Sequence, residues 1–306
     1  MISHPSHNAQ PPPLLRSKEE QILEAVRDLV YVTATDIQQL LEASPGHVRR
    51  LLATLSGGKD YAEHDFLLRF PMPATTQGMK PFVYTLGAKG REALDVSGYF
   101  RPYKIRALSY SHISHHLSLT RFVCSALVWC RSHPQVRLAD IRLCYELARE
   151  LGKAAAENAG QPAPVLVVPD GWLHFEFVDA ENGDHKSYLP LWLEIDRGTE
   201  FRLRFQQHVA DRIEFIRSEK YAQFFGAEAV RIAYATLGSR DALLSSRRAA
   251  MRSWTAEVLK DLALESWNTV FYFTTLVYED IYNLKHFSDP VWYSPGDPTP
   301  RRLLEP

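Results

Sequence analysis

Several residue patterns that would place the chain in a common protein class are missing. Only three of its 306 residues are cysteines, and no two of them form a CxxC pair. This scarcity argues against a disulfide framework and a zinc ribbon, and it suits a reducing compartment. The formal net charge is −1, so contacts with nucleic acid would have to come from local basic patches.

Longer patterns are missing as well. No apolar run approaches the ~20 residues of a membrane span, and the polar, proline-rich start of the chain does not fit a signal peptide. The glycine motifs of nucleotide-binding proteins, GxxxxGKS/T and GxGxxG, are absent, as is the GxSxG motif of serine esterases. We therefore expect a cytoplasmic protein with no membrane partner and none of these chemistries.

The first third of the chain has the element order of a winged helix-turn-helix. After residues 1–16, which we expect to be a disordered tail, Ser17 and Glu20 form a capping box at the start of a helix. A second helix starts at Thr33, and Ser44 is the N-cap of a third helix with Pro45 at its first position. Two β-rich runs, Phe66–Phe70 and Pro81–Leu86, then predict a hairpin. We place this domain at residues 17–98, followed by a linker at 99–110.

The third helix is the candidate for reading DNA. Arg49 and Arg50 lie on it, His47 precedes them, and Lys59 follows its end, with no acidic residue between Ser44 and Lys59. A helix of this kind enters the major groove, where arginine pairs with guanine or grips phosphates. In the hairpin, Arg69 and Lys80 could reach DNA as well. The alternative is that these are ordinary solvated charges.

The rest of the chain predicts a mixed sheet flanked by helices, in the order β-β-β-α-β-α-β after a first helix. The region from Ile141 to Leu151 fits either a strand or a helix, and residues 152–163 fit a loop. We place this second domain at 111–290 and a tail at 291–306, which makes the fold α+β or α/β in two domains. The elements are strands at Val165–Val168, Leu173–Val178 and Tyr188–Ile195, a helix at Thr199–Phe224, a strand at Val230–Ala235, a helix at Ala249–Leu264 and a strand at Val270–Thr275.

Three carboxylates stand out in this second domain. Glu194 and Asp196 alternate with apolar residues and therefore project from one face of a strand, and Asp170 interrupts an apolar run one hairpin earlier. Close carboxylates repel one another unless a cation neutralises them, which predicts a Mg²⁺ or Mn²⁺ site. The alternative is a solvated sheet face paired with Arg197, Arg202 or Arg204. The histidines at 112, 115 and 116 offer no fourth ligand, so we do not place a metal there.

The motifs that carry these residues resemble the replication-relaxation family of plasmids and integrative elements. The shared phrases are PFVYTLGAKG at 81–90, the helix beginning HLSL at 116, PDG at 169–171 and LEIDRGTE at 193–200. The second domain also resembles the PD-(D/E)xK nuclease fold of restriction endonucleases. That resemblance implies that Asp170 and Glu194 are the motif acids and that Asp196 stands where a catalytic lysine is usual.

The departure at Asp196 leaves two functions open. In one, Arg197, Lys186 or Arg202 supplies the missing basic group, a helical acid (Glu146 or Glu150) adds a ligand, and the domain is a metal-dependent endonuclease or nickase with Asp170, Glu194, Asp196 and Arg197 in its site. In the other, the protein is a non-catalytic regulator of transcription or replication. Either way the expected partners are DNA and a protein of the mobile-element machinery, with a homodimer also open.

Overall fold

The chain divides into two units, Met1–Tyr99 and Phe100–Pro306. The predicted tail at 1–16, Lys80 and most of the predicted linker lie outside the residues that the structure describes. The computed structural model describes residues 17–60, 64–72, 81–94, 109–157, 167–178, 186–239, 241–278 and 281–304.

The N-terminal unit begins with the helices α1 (Lys18–Leu29), α2 (Ala34–Leu41) and α3 (Pro45–Leu55). Each helix starts where a capping residue satisfies its first free N–H groups. Ser17 and Thr33 form capping boxes, in which the third helical residue returns a hydrogen bond to the cap. Ser44 caps α3, whose first residue is Pro45, a position where the missing N–H costs nothing.

Three antiparallel strands complete this unit. They are β1 (Val32–Thr33), β2 (Leu67–Pro71) and β3 (Phe82–Leu86), in the order β1-β3-β2, and the helix α4 (Ala88–Ala93) follows. Strand β1 has two residues, too few for the alternation that predicts a strand, whereas β2 and β3 lie where the sequence predicts a hairpin. Ile22, Val48 and Val83 are fully buried in the core of the unit.

The C-terminal unit is built on a five-stranded mixed sheet in the order β4-β5-β6-β7-β8. Strands β4, β5 and β6 are antiparallel neighbours, whereas β6, β7 and β8 run parallel. The mixed sheet flanked by helices agrees with the prediction. The strands are β4 (Val136–Leu143), β5 (Gly171–Val178), β6 (Lys186–Asp196), β7 (Arg231–Gly238) and β8 (Phe271–Val277).

Helices provide the parallel crossovers and cover the sheet. Helices α7 and α9 pack on each other, and an apolar cluster that includes Trp192, Phe205 and Phe273 lies between them and the sheet. The helices are α5 (Tyr110–Arg131), α6 (Cys144–Glu157), α7 (Arg202–Arg217), α8 (Glu219–Phe225), α9 (Asp241–Asp261) and α10 (Lys285–Ser288). No helix within the described stretches has the length and apolar character needed to cross a membrane.

The edge strand of the sheet differs from the prediction. We expect a strand at Val165–Val168, but Val167 and Val168 are not in a strand, and β4 occupies the edge beside β5 instead. Strand β4 has three charged residues and is mostly half-exposed, as edge strands commonly are. The stretch from Ile141 to Leu151, for which the sequence leaves strand and helix open, contains the end of β4 and the beginning of α6.

Helix boundaries also differ from the prediction. Helix α6 continues through Glu157 into the expected loop at 152–163, in line with the high helix propensity of its alanines. The helix expected at Thr199–Phe224 is two helices, because the backbone of Ser218 is extended. The helix expected from Ala249 begins already at Asp241.

The segment expected to be a C-terminal tail belongs to the folded unit. Tyr293 forms an antiparallel bridge with Phe273 of β8, and Trp292 bridges Arg301. Trp292 and Leu303 are fully buried. Because a tail has no such burial, the second unit extends beyond residue 290.

Candidate functional site

The three predicted acids meet at one end of β6. Asp170 directly precedes β5, whose first residue pairs with Leu193 of β6. One carboxylate oxygen of Asp170 accepts a 2.8 Å hydrogen bond from the backbone N–H of Ile195. Ile195 lies between Glu194 and Asp196, so this bond ties Asp170 to the same end of the strand as the other two acids.

Glu194 is held by a guanidinium from α7. Its Oε1 accepts from Arg212 Nε at 3.0 Å and Nη2 at 2.7 Å, and from the Trp192 indole N–H at 2.6 Å. Both charged side chains are nearly buried, with 12% and 10% of their surface exposed. Burial raises the pKa of Glu194 to about 7, although Arg212 favours the ionised form.

Asp196 has a separate basic partner, contributed by α9. Arg247 donates to both carboxylate oxygens, from Nε at 3.0 Å and from Nη2 at 3.1 Å. The backbone N–H of Gly198, which has a positive φ of 71°, donates to the same carboxylate. The strand therefore ends in a turn that is anchored on Asp196.

Asp170 pairs with a histidine of α5. His115 Nε2 lies 2.9 Å from Oδ1 of Asp170, the oxygen that does not accept the hydrogen bond from Ile195. Burial lowers the pKa of His115, but the hydrogen bond and the negative charge of Asp170 outweigh it, so the pKa lies above its ordinary value. The neighbouring His116 behaves in the opposite way, since burial lowers its pKa to about 3.

The arrangement does not fit a divalent cation as it stands. Each of the three acids is already neutralised or hydrogen-bonded by a protein group, and a cation would have to displace two guanidinium groups. Over the stretches that the structure describes, no group of three or more His, Cys, Asp or Glu side chains is placed to hold a metal ion. The Mg²⁺ or Mn²⁺ site stays a prediction.

A cavity of about 460 Å³ opens at this end of the sheet. Its wall includes Glu194, Asp196, Arg197, Arg212 and His115. Arg197 is held by α5, because its Nη1 donates to the backbone oxygen and the hydroxyl of Ser111 at 2.6 and 2.8 Å. In the described parts of the chain, Arg197 has no carboxylate partner.

The other candidates for a catalytic base or ligand lie elsewhere. Arg202 is paired with Glu257 on α9 at 2.6 Å, and Lys186 begins the strand that Asp196 ends. Burial, followed by the charge of Glu150, raises the pKa of Glu146 to about 7, but neither glutamate lines the cavity. Of the three proposed basic groups, Arg197 is the one that the fold brings to the cavity.

The predicted DNA-binding residues lie in the N-terminal unit. Arg49, Arg50 and Lys59 are exposed, and His47 is half-buried. Arg69 is engaged internally, since its guanidinium is 2.6 Å from Asp60, bonds to the Gly58 carbonyl and stacks 4.3 Å from the Phe82 ring. These interactions favour a structural role for Arg69 within its hairpin.

Three basic residues of the site, Arg212, Arg247 and His115, were not predicted to belong to it. Arg212 had a detectable pattern, because it falls on the apolar stripe of α7 formed by Phe205, Val209 and Ile213. A charged residue in such a stripe needs a buried partner of opposite charge. No comparable pattern marks Arg247.

The fold and the site define a class: a two-unit α/β protein with carboxylates at the end of a central strand, each held by a basic side chain. A family model, replication-relaxation, matches residues 23–228, well over half of the chain. The chain belongs to this family, as its motifs suggest. No curated protein matches it significantly, and no solved structure does so either.

Proposed function

We propose that the protein is a DNA-binding component of plasmid or mobile-element replication whose nuclease-like C-terminal domain is non-catalytic. In this proposal, the N-terminal unit is a winged helix that contacts duplex DNA through α3. The family to which the chain belongs supports the replication theme. The second unit follows the acid pattern of the PD-(D/E)xK fold, with arginines where a cation would otherwise neutralise the acids.

Charge and exposure support α3 as the element that contacts DNA. Arg49 and Arg50 are exposed, and neither has a carboxylate partner among the described residues. Helix α3 has no acidic residue in its first turn, and none occurs along its sequence. An exposed basic helix that precedes a hairpin has the arrangement that winged-helix proteins present to the major groove.

The non-catalytic assignment depends on a single observation: Glu194 and Asp196, the two acids on β6, are both paired with arginines. Glu194 and Asp196 each accept two hydrogen bonds from a guanidinium, at distances between 2.7 and 3.1 Å. Charge-assisted bonds of this kind are among the strongest that proteins make. They compensate the repulsion between the carboxylates, which removes the main reason to expect a bound cation.

Duplex binding by the full chain tests the role of α3. We expect Arg49→Ala/Arg50→Ala to weaken binding by ~1–3 kcal/mol for each arginine that reads a base, and by less for an arginine that touches only phosphate. The matched control is Arg27→Ala/Lys89→Ala, which removes two positive charges from the same unit outside α3. Equal loss of affinity in both double variants, or no loss in either, would rule out α3 as the element that contacts duplex DNA.

A second candidate, a metal-dependent phosphodiesterase, is favoured by the convergence of three acids at one strand end. The Asp170 bond to the Ile195 N–H is the observation behind it. A nicking and cleavage assay on supercoiled, linear and single-stranded DNA with Mg²⁺ or Mn²⁺ separates the two functions. Metal-dependent cleavage that Glu194→Gln abolishes would establish the enzyme and overturn the non-catalytic proposal.

A further inference from the structure

We propose that the cavity at the end of β6 is a binding site for a phosphate group, with Arg197 as its principal ligand. This inference concerns a second site in the C-terminal unit and does not depend on DNA binding by α3. It rests on the charges around the cavity, on the geometry of Arg197 and on the position of the cavity in the fold.

The acids around the cavity are already compensated. Three of them line it, and Asp170 lies behind His115. Arg197 lines the same cavity and has no carboxylate partner among the described residues, so its positive charge favours an anionic guest over a cationic one. Glu194 pairs with Arg212, Asp196 with Arg247 and Glu200 with Arg204, and Asp170 is hydrogen-bonded to His115.

The guanidinium of Arg197 is held in place and only partly used. Ser111 fixes Nη1 from one side through its carbonyl and its hydroxyl. Nη2 makes no hydrogen bond to a described residue, so its N–H groups remain for a guest in the cavity that Arg197 lines. Guanidinium donors form a planar set that matches the oxygens of a phosphate or a carboxylate, and phosphate is the group of this kind that nucleotides and DNA carry.

The position and size of the cavity agree with this assignment. It lies outside the carboxyl ends of the parallel strands β6 and β7, where open α/β sheets usually bind their ligands. Its volume of about 460 Å³ falls within the range of small-molecule sites and exceeds what a phosphate ion needs. Phe205 and Met251 add apolar surface, and Ser109 and Thr199 add hydroxyl groups. The expected guest is therefore a phosphate attached to a larger group, such as a nucleotide.

Two sources could supply this group, a free nucleotide or the end of a DNA strand. Calorimetric titration of the full chain distinguishes them with four probes: inorganic phosphate, deoxyadenosine 5′-monophosphate, and a short single-stranded oligonucleotide with and without a 5′-phosphate. Equal binding of the mononucleotide and the phosphorylated oligonucleotide identifies a nucleotide site. Preference for the phosphorylated oligonucleotide over all other probes identifies a strand-end site.

The variants decide whether Arg197 is the ligand. We expect Arg197→Gln to weaken binding of the phosphorylated probes about tenfold or more, since a charge-assisted bond is worth about 1.5–3 kcal/mol. Arg197→Lys keeps the positive charge but loses the planar set of guanidinium donors, so it should bind the phosphorylated probes with intermediate affinity. The matched control, Arg217→Gln, removes an exposed arginine of α7 outside the cavity and should bind as the parent does.

Circular dichroism of each variant separates loss of binding from loss of fold. Titration with deoxyadenosine 5′-monophosphate, which offers no duplex to α3, keeps this test independent of the proposed binding of duplex DNA. The proposal is overturned if the parent binds none of the phosphorylated probes at millimolar concentration. It is equally overturned if folded Arg197→Gln binds them as tightly as the parent.

Discussion

The buried pair between Glu194 and Arg212 gives the sharpest prediction about stability. Replacing Arg212 with Met keeps a long side chain on the apolar stripe of α7 but leaves the Glu194 carboxylate in a nearly buried position without its cation. Removing one partner of a buried pair typically costs about 3–5 kcal/mol. For a unit of this size, about 2–4 °C is lost per kcal/mol, so the melting temperature should fall by roughly 6–20 °C.

A double-mutant cycle measures the interaction itself. Glu194→Gln removes the charge but keeps an oxygen that can accept the Trp192 indole hydrogen bond. In Arg212→Met/Glu194→Gln no buried charge is left unpaired, so the double variant should recover most of the stability that Arg212→Met loses. Urea unfolding followed by circular dichroism gives the four free energies of unfolding.

The matched control is the exposed pair between Arg202 and Glu257, which joins helices α7 and α9 of the same unit. Its side chains are 55% and 40% exposed, and such pairs contribute about 1 kcal/mol or less. If Arg212→Met costs no more than Arg202→Met, Glu194 does not depend on its guanidinium. A melting temperature of the parent that rises with Mn²⁺, with no rise in Glu194→Gln, would instead assign the carboxylate to a metal.

Two further predictions concern titration. Asp170→Asn should lower the pKa of His115 below its ordinary value, because burial and the Arg197 charge are then opposed only by the smaller effect of Glu194. Histidine side-chain NMR measures this pKa, and an unchanged value would rule out Asp170 as the cause of the raised pKa. Burial raises the pKa of Glu146 from 4.5 to about 7, so the folded state keeps a proton that the unfolded state releases. The free energy of unfolding of the parent should therefore fall relative to that of Glu146→Gln as pH rises from about 4.5 to about 7. A constant difference between the urea midpoints of the two proteins across this pH range would contradict the prediction.

Local patterns allowed much of the fold to be predicted. The caps at Ser17, Thr33 and Ser44 depend on residues within one helical turn, and all three form as expected. The alternation of Glu194 and Asp196 along one strand is equally local. Because a hairpin joins β5 to β6, Asp170 could be placed beside them from the chain order.

The partners of these acids could not be predicted because they come from distant parts of the chain. Arg212 lies 18 residues after Glu194, and Arg247 lies 51 residues after Asp196. Many arginines in the sequence are equally compatible with such a role, and only the packing of α7 and α9 against the sheet selects these two. Edge strand β4 was missed for a related reason, since its place depends on pairing with β5 more than on its own apolar residues.

The distribution of tryptophan between the two units has a practical consequence. The chain has six tryptophans, at 129, 172, 192, 254, 267 and 292, and all belong to the C-terminal unit. Trp172, Trp192 and Trp292 are almost completely buried. Emission excited selectively in the indole ring should therefore report the unfolding of this unit alone, with a red shift as these rings meet water. The N-terminal unit is silent in that experiment, so circular dichroism and fluorescence recorded together separate the melting of the two units without cutting the chain.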